Sequence, residues 1–319
     1  MELIPDPTLD EVKRAANALT DGHLVAFPTE TVYGLGADAT DEKAVGRIYS
    51  TKGRPLDHPL IVHILSINQI NEWAISVPAY AYKLAEEFWP GPMTLILKRS
   101  SLAKDFITGG QNNVGLRVPA HPVAMELLKR FGEIGGLGVA APSANRFGAV
   151  SPTSASDVLE EPGDYFGLQD LILDGGQCQV GIESTIIDCT EAAPKVLRPG
   201  AITIEMIEKK ILIEVVSKQI KGGVKTSGLL DSHYSPKAKV VLNGVAVPGD
   251  GLLAMENIPT PIGVTRLATP TTIEQFALEL YKALRSADQK GINRIVAIPP
   301  EGDGLAVGVR DRLSKTAAG

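Results

Sequence analysis

Four cationic side chains lie in or beside tight Gly/Pro turns, at Lys52, Arg54, Arg117 and Arg198. The segment KGRP from Lys52 places two cations on either side of a glycine, in a turn that the proline stiffens. Such a turn can present a point charge and a planar bidentate donor to adjacent phosphates. A single KGRP segment is more often a solvated surface turn, which is the alternative interpretation. Because all four cations are held in stiff turns, together they predict a pocket for a polyanion.

Arg117 differs from the other three cations because it lies in an otherwise apolar segment, GLRVP from Gly115. A guanidinium that emerges from a half-buried strand requires an anionic partner. That partner is either an internal Asp or Glu or the carboxylate of a ligand, and the strand alone does not decide between them.

Hydroxyl and amide groups recur in short turns between apolar runs. Ser143 and Asn145 belong to the APSAN segment, Ser151 opens SPTS, and Ser184 lies in GIEST. Each has a simpler explanation, either as a helix cap or as a partner of local backbone groups. His63, in an IVHI strand, is more often a core histidine with satisfied hydrogen bonds than a ligand or a base.

The sequence contains no conventional catalytic motif. A GxSxG elbow, a GxxxxGK[ST] loop, a GxGxxG turn after the first strand and an HExxH pair are all missing. The five histidines lack zinc-ligand spacing, and neither Cys178 nor Cys189 has a basic neighbour in sequence. The remaining hydroxyls, amides and cations are suited to positioning substrates and stabilising charge. No metal site made of protein side chains is predicted.

Composition narrows the class of protein. The chain has 319 residues, 44% of them hydrophobic and 21% charged, as in an ordinary globular protein long enough for two domains. The net charge of −6 argues against a broad nucleic-acid surface, which is usually basic. Two cysteines without a redox motif, no signal-peptide run and no apolar stretch near the roughly 20 residues of a membrane span predict a cytoplasmic protein with no membrane association.

The secondary-structure pattern predicts many short strands with few helices between them. Thr8 and Glu11 predict a capped first helix, and the apolar run 24–27 predicts a strand that delivers residues 29–36 as a loop. Further strands are predicted at 60–64, 93–97, 114–118, 139–141, 171–173, 185–188 and 195–197. Further helices are predicted at 42–49, 79–88, 123–130 and 202–210. This pattern favours an α/β or α+β domain with a twisted mixed sheet.

The pattern changes near residue 208, where lysines and a Gly-Gly pair replace apolar periodicity. We therefore predict a first domain at 1–207, a linker at 208–239 and a small α/β, Rossmann-like domain at 240–319. In this last domain, strands are predicted at 240–242, 262–264 and 295–298, with an amphipathic helix from Ile273 to near Gly291.

Six segments in this order resemble the YrdC family, and the whole chain resembles its longer two-domain form. They are FPTETVYGLGADA from Phe27, KGRPLDHPLIVH from Lys52, GLRVPAHP from Gly115, APSAN from Ala141, GIESTIID from Gly181 and LRPG from Leu197. The resemblance implies the synthesis of threonylcarbamoyl-AMP from L-threonine, bicarbonate or CO2, and ATP with Mg²⁺, releasing pyrophosphate. The product would serve a downstream tRNA threonylcarbamoyl transferase complex.

The resemblance also implies roles for individual residues. The family's Lys-x-Arg and Ser-x-Asn signatures fall on Lys52, Arg54, Ser143 and Asn145, which would be the catalytic set. Its threonine site falls on Thr31, His63, Arg117, the backbone at Ala141, and Ser184. Its ATP site falls on Lys52, Arg54, His58, Asn113, Ser143, Asn145, Ser151, Arg198 and Tyr234.

Two positions depart from the family pattern. The resemblance implies that the linker, which contains Tyr234, is a lid across the active site. The motif around Tyr234 is SHYSP, whereas in the family a basic residue commonly precedes HYAP. Position 58 is His where the family usually has Asn, which would make a nucleotide contact sensitive to pH.

Two other functions fit parts of the pattern. An RNA-binding or ribosome-maturation module would use the same concave cationic surface, although the acidic net charge leaves room only for weak RNA binding. A carbamoyl-transfer domain of hydrogenase maturation would use the same scaffold, but it normally has additional zinc and acylphosphatase-like modules.

Overall fold

The structure, a computed structural model, describes residues 1–161, 166–215 and 233–319. A ten-stranded mixed sheet organises the first part of the chain. Its strands are β1 (Glu2–Pro5), β2 (Val25–Phe27), β3 (Gly34–Asp38), β4 (Ile61–His63), β5 (Met93–Lys98), β6 (Asn113–Arg117), β7 (Val139–Ala140), β8 (Leu171–Asp174), β9 (Thr185–Asp188) and β10 (Lys195–Arg198). The helices around it are α1 (Leu9–Thr20), α2 (Glu42–Lys52), α3 (Ile70–Trp73), α4 (Ala79–Phe88), α5 (Asp105–Thr108), α6 (Pro122–Glu133), α7 (Ala155–Leu159) and α8 (Ile204–Ile211).

The sheet has the strand order β1-β8-β2-β3-β7-β4-β6-β5-β9-β10 and is covered on both faces. Helices α1 and α6 pack together on one face, where Leu19 and Phe131 join a buried apolar cluster. Helices α2, α3, α4 and α8 contribute to a larger core on the other face, centred on the fully buried Trp73. The mixed α/β sheet predicted from the many short strands is confirmed.

Local sequence explains the first elements. Thr8 accepts a hydrogen bond from the Glu11 backbone, and the Glu11 carboxylate accepts one from the Thr8 backbone at 2.8 Å, so the predicted cap forms a capping box. The predicted loop at 29–36 is wrong in its second half. Residues from Gly34 form β3, which pairs antiparallel with β2, because the chain turns back soon after Phe27.

A second sheet of four parallel strands forms the last part of the chain. Its strands are β11 (Lys239–Leu242), β12 (Gly251–Leu253), β13 (Thr265–Ala268) and β14 (Arg294–Ala297), in the order β11-β14-β12-β13, with helices α9 (Ile273–Gln289) and α10 (Leu305–Ala317). The small Rossmann-like α/β domain is therefore confirmed. The predicted strand at 262–264 is wrong: Gly263 takes a left-handed φ of 78°, Ile262 is 96% exposed, and the strand begins at Thr265.

The two parts of the chain meet through a shared apolar cluster. Val32, Val150 and Ile182 from the first part pack with residues of α9 and α10. A Cβ added at Gly181, where φ is 83°, would lie 2.4 Å from the Leu278 backbone in α9. An approach this close requires a glycine, so the junction is a packed interface.

Helix α8 extends to Ile211 and β11 begins at Lys239. Residues 216–232 of the predicted linker lie outside the described residues, and the boundaries of the domains 1–207 and 240–319 stay predictions. None of the helices in the described ranges combines the length and the apolar character needed to cross a membrane.

Candidate active site

A small cavity of about 50 Å³ lies at the junction of the two parts of the chain. Its wall is formed by loops at strand ends of the first sheet and by the segment that precedes β11. The lining residues are Thr29, Thr31, Val32, Gly34, Arg54, Ile61, His63, Arg117, Ala141, Pro142, Ser143, Glu183, Ser184, Arg198, His233 and Tyr234.

Sheet register brings His63 and Arg117 together. Strands β4 and β6 are parallel neighbours, and these two residues are register partners at their carboxyl ends. Side chains at that shared edge point into one site, as is usual for parallel strands. These two residues, both predicted to bind threonine, therefore lie side by side.

Arg117 already has an internal carboxylate partner. Its Nη2 donates to Glu30 Oε1 at 2.6 Å and to Thr31 Oγ1 at 2.9 Å, and Glu30 Oε2 accepts from the Ala120 backbone at 2.9 Å. Both charged side chains are buried. Arg117 therefore has the internal acid that was one of its two predicted partners. Its buried Nε, however, has no hydrogen-bond partner in the described part of the chain. That donor remains for a ligand.

His63 is a buried histidine with an unsatisfied nitrogen. Burial, together with the charge of Arg117, lowers the pKa of His63 to about 3, so the ring is neutral at ordinary pH. Its Nδ1 has no hydrogen-bond partner among the described residues. Its ring packs edge-on against Phe27, with 6.0 Å between centroids. The neutral ring therefore offers a polar atom to the cavity without adding charge.

The other two residues of the predicted threonine site also line the cavity. The Ala141 amide donates to Ile61 O at 2.9 Å, so of its backbone groups only the carbonyl remains for a ligand. The Ser184 hydroxyl is 2.8 Å from Thr94 Oγ1 and accepts from Arg198 Nη2 at 3.1 Å.

Lys52 joins the two signature segments of the predicted ATP site. Its buried ammonium donates to the Ser143 carbonyl at 2.5 Å and to the Asn145 carbonyl. Burial lowers the pKa of Lys52 well below its ordinary value. These hydrogen bonds fix the turn that holds Ser143 at the cavity wall, although Lys52 itself does not line the cavity.

Arg54 and Arg198 are the two cations of the predicted ATP site that line the cavity. Arg54 donates to the carbonyls of His58 and Pro59, at 3.2 and 2.9 Å, and burial lowers its pKa to about 10. Arg198 donates to the Ser184 carbonyl through Nε at 3.0 Å and Nη2 at 2.9 Å. Burial also lowers the pKa of Arg198.

Several predicted ATP residues lie away from the cavity wall. The Ser151 hydroxyl donates to Glu183 Oε1 at 2.6 Å, and the Asn145 amide donates to the Arg146 and Ala149 carbonyls, both at 2.8 Å. Asn113 lies at the other end of β6, in an open groove with Lys98 and Arg99. The His58 ring packs edge-on against Phe147 at 5.2 Å. The ATP-binding roles of these residues stay predictions.

His233 and Tyr234 close the cavity from the side of the second sheet. Tyr234 is 1% exposed and has a left-handed φ of 62°, and its hydroxyl has no hydrogen-bond partner within the described residues. The neighbouring His233 ring packs edge-on against Tyr234, with 4.0 Å between centroids, and burial lowers its pKa to about 3. With these side chains in place, about 50 Å³ is too small for an amino acid and a nucleotide.

Four lining residues carry a buried polar atom that lacks a hydrogen-bond partner in the described ranges: His63 Nδ1, Arg117 Nε, His233 Nδ1 and Tyr234 OH. Buried polar atoms are normally satisfied, so such a concentration around one cavity points to a site that ligand atoms complete. The fold and the cavity define a two-domain α/β protein with a buried cavity, at the junction of its two sheets, that is lined by three arginines.

Comparison with known proteins agrees with this class. Residues 17–200 match the Sua5/YciO/YrdC family model, described as telomere recombination, and residues 202–318 match the model described as threonylcarbamoyl-AMP synthase, C-terminal domain. This chain belongs to the Sua5/YciO/YrdC family.

Relatives match along nearly the whole chain. A threonylcarbamoyl-AMP synthase from Pyrococcus abyssi is 41% identical over 327 residues, covering 96% of this chain and 93% of the relative. One from Bacillus subtilis is 37% identical over 340 residues, covering 97% and 93%. The crystal structure of P. abyssi Sua5 complexed with L-threonine superposes with a TM-score of 0.88 at 38% identity, covering 99% of this chain and 97% of that chain.

Sequence reasoning missed the residues that bind and orient the side chains and loops of the cavity wall. Glu30 and Glu183 lie inside two of the six family segments, and an internal acid is one of the two partners predicted for Arg117, but the sequence singles out neither residue. Tyr281 and Arg312 belong to helices of the second part, and neither was predicted as a site residue, although the family resemblance extends weakly over 304–313. Only the periodic apolar pattern of α9, which places Tyr281 on the buried face beside Leu280 and Leu284, could have singled it out.

Proposed function

We propose that this protein is a nucleotidyltransferase that makes L-threonylcarbamoyl-AMP from L-threonine, bicarbonate or CO2, and ATP, with release of pyrophosphate. The observation that carries the proposal is the unpartnered Arg117 Nε beside the unpartnered His63 Nδ1, within the described residues, in a cavity also lined by Arg54 and Arg198. Near-full-length relatives named threonylcarbamoyl-AMP synthase, and a relative solved with L-threonine, support it.

The polar groups around Arg117 match those of L-threonine. The Nε donor would bind the carboxylate of the amino acid while Glu30 and Thr31 hold the guanidinium from the other side. The Ala141 carbonyl accepts from the amino group, and the Ser184 hydroxyl lies on the same wall. Because Arg117 keeps its internal partner, this guanidinium stays paired when the site is empty.

The reaction needs alignment more than a protein nucleophile. The threonine amine attacks CO2, which forms an N–C bond and a carbamate and releases a proton to solvent. A carbamate oxygen then attacks the α-phosphorus of ATP, and the bond to the pyrophosphate oxygen breaks. Negative charge accumulates on phosphate oxygens in this step, so fixed cations accelerate it.

Arg54 and Arg198, which line the cavity, would carry that charge, and Lys52 would support the turn that contains Ser143. We assign Mg²⁺ to the incoming ATP. Within the described ranges no group of three or more His, Cys, Asp or Glu side chains is arranged to hold a metal ion, so the cation would be held mainly by the triphosphate.

His233 and Tyr234 would have to move for both substrates to enter, since they line a cavity of only about 50 Å³. We propose that the segment containing them acts as a lid that opens for ATP and closes over the adduct. Closure would exclude water from the mixed anhydride, which is prone to hydrolysis. The adduct would then pass to a tRNA threonylcarbamoyl transferase complex in the cytoplasm.

The direct test is mass spectrometry of a mixture of the protein, ATP, Mg²⁺, L-threonine and bicarbonate. The expected result is threonylcarbamoyl-AMP, formed only when all components are present, with one pyrophosphate per adduct. Folded protein that binds both substrates but gives no adduct would overturn the proposal. Steeply salt-dependent RNA binding that persists with ATP and threonine saturating would instead support the RNA-binding alternative.

A further inference from the structure

The second part of the chain reaches the active site through two fully buried side chains, Tyr281 in α9 and Arg312 in α10. Both bind the carboxylate of Glu183, in the loop before β9. The Tyr281 hydroxyl and Arg312 Nε each donate to Glu183 Oε2 at 2.8 Å, and the Ser151 hydroxyl donates to the other oxygen at 2.6 Å. Two of these three donors therefore come from the second part.

Arg312 also binds the backbone of two site loops. Its Nη2 donates to the Glu183 carbonyl at 3.2 Å, and its Nη1 donates to the Pro199 carbonyl at 2.9 Å. Glu183 precedes Ser184, and Pro199 follows Arg198, so one planar guanidinium fixes the loops that carry both lining residues. Lysine has no such fork and cannot make all three hydrogen bonds at once.

The same surface receives the lid residue Tyr234. Its ring stacks on the Tyr281 ring with 5.5 Å between centroids and an angle of 30°, and the Arg312 Cζ lies 5.7 Å from its centroid. The Thr316 hydroxyl donates to the Tyr234 carbonyl at 3.3 Å. The second part thus provides the seat of the closed lid as well as the anchor of Glu183.

The anchor keeps its charge. Burial raises the pKa of Glu183, but the charges of Arg312 and Arg198 lower it by more, so that the pKa is about 2. A carboxylate that stays ionised in the working range is suited to holding other groups in place and is unsuited to proton transfer. Glu183 therefore acts as a fixed link between the two parts of the chain.

We propose that Arg312 and Tyr281 are positioning residues of the active site, which hold Ser184 through Glu183, hold Arg198 through the Pro199 carbonyl, and seat Tyr234. The second part of the chain is then required for substrate binding. The identity of the two substrates rests on the proposed function, whereas the positioning itself does not.

The test uses the full chain with Arg312→Lys, Glu183→Gln and the double variant, and titration calorimetry with L-threonine and a non-hydrolysable ATP analogue. Loss of charged hydrogen bonds in Arg312→Lys is expected to weaken both affinities by about tenfold. In the Glu183→Gln background the same change should have a clearly smaller effect than in the wild type, because the charged bond to the carboxylate is already lost while the bonds to the two backbone carbonyls remain. Additive effects in the double variant would overturn the proposal.

Two further variants separate positioning from general destabilisation. Tyr281→Phe removes one hydroxyl and retains the ring under Tyr234, so it should weaken threonine binding more than ATP binding. Arg310→Lys is the control, since Arg310 lies on the same helix and donates to the Pro300 carbonyl away from the cavity. It should bind both ligands like the wild type. Melting temperatures establish that each variant is folded.

Amide hydrogen exchange gives a readout that needs no substrate. In Arg312→Lys, exchange should accelerate in segments 181–188 and 197–201 and stay unchanged in α1, on the far side of the sheet. Unchanged exchange in both segments would show that Arg312 does not hold them. Wild-type protein that forms no adduct, combined with this exchange pattern in the variant, would refute the proposed reaction and leave the positioning role intact.

Discussion

Replacement of Arg117 by lysine tests the assignment of the carboxylate site most directly. Lysine keeps the charge and can retain the ion pair with Glu30, now 2.6 Å from Arg117 Nη2. It cannot reproduce the separate Nε donor, which has no partner in the residues that the structure describes. The variant therefore removes the bond to the ligand while it preserves the internal one.

The size of the effect follows from the single hydrogen bond that the variant removes. One charge-assisted hydrogen bond to the ligand carboxylate contributes about 1.5–3 kcal/mol. At about 1.4 kcal/mol per factor of ten, the KM for threonine should rise about 10- to 150-fold. The KM for ATP should change by less than about twofold, because Arg117 is not among the cations assigned to the nucleotide.

The assay is initial-rate formation of the adduct over a threonine series at saturating ATP, and the reverse series at saturating threonine. Arg130→Lys is the matched control, since this arginine lies on α6 and binds the surface carboxylates of Glu126 and Glu133. The control should behave like the wild type. A threonine KM that stays unchanged in Arg117→Lys, with the protein folded, would remove Arg117 from the threonine site.

Three further predictions follow from single residues. Tyr234→Ala removes the lid ring and should raise the ATP KM about tenfold and the threonine KM less; equal effects in steady-state kinetics would contradict a nucleotide-side role. Because the pKa of His63 falls to about 3 on folding, below its ordinary 6.5, the unfolded state binds more protons between these values and stability falls as pH falls. In urea unfolding, the free energy of unfolding should fall by about 2 kcal/mol between about pH 6.5 and 5 because of this residue. This fall should be absent in His63→Gln and retained in His23→Gln. If the free energy of unfolding changes equally with pH in both variants, the burial argument is wrong. Gly181→Ala should destabilise the protein by about 2–5 kcal/mol, through its left-handed φ and the backbone of α9. Gly46→Ala, inside α2 with open space around it, should stabilise slightly in the same thermal melts, and similar losses for both would be inconsistent with a packed junction.

Local sequence was enough to predict most of the first sheet. Short apolar runs between Gly and Pro turns correspond to strands such as β5 and β9, and the Thr8–Glu11 cap marks the start of α1. The pattern missed strands that are very short or mostly exposed. β12 has three residues, and β1 is an edge strand with mostly exposed side chains, so neither has a periodic signal.

The site was predictable where each residue sits in its own motif. His63 and Arg117 are far apart in the chain, and only the parallel register of β4 and β6 makes them neighbours, so the family resemblance supplied what spacing could not. Hydrogen bonds that cross the junction had no such signal. The pairing of Glu183 with Arg312 spans 129 positions and depends on the packing of α10, which periodicity did not predict.

The buried carboxylates explain how a cationic pocket can stay stable without substrate. An unpaired buried guanidinium is costly, and the described structure gives Arg117 a partner in Glu30 and Arg312 a partner in Glu183. The two pairs differ in what they provide to the site. Arg117 retains an Nε that is unpartnered among the described residues, whereas Arg312 holds the loops that carry Ser184 and Arg198. In the proposed reaction, substrate would add hydrogen bonds at Arg117 and would not have to break its ion pair with Glu30. A pocket for polyanions therefore needs internal acids as much as it needs cations.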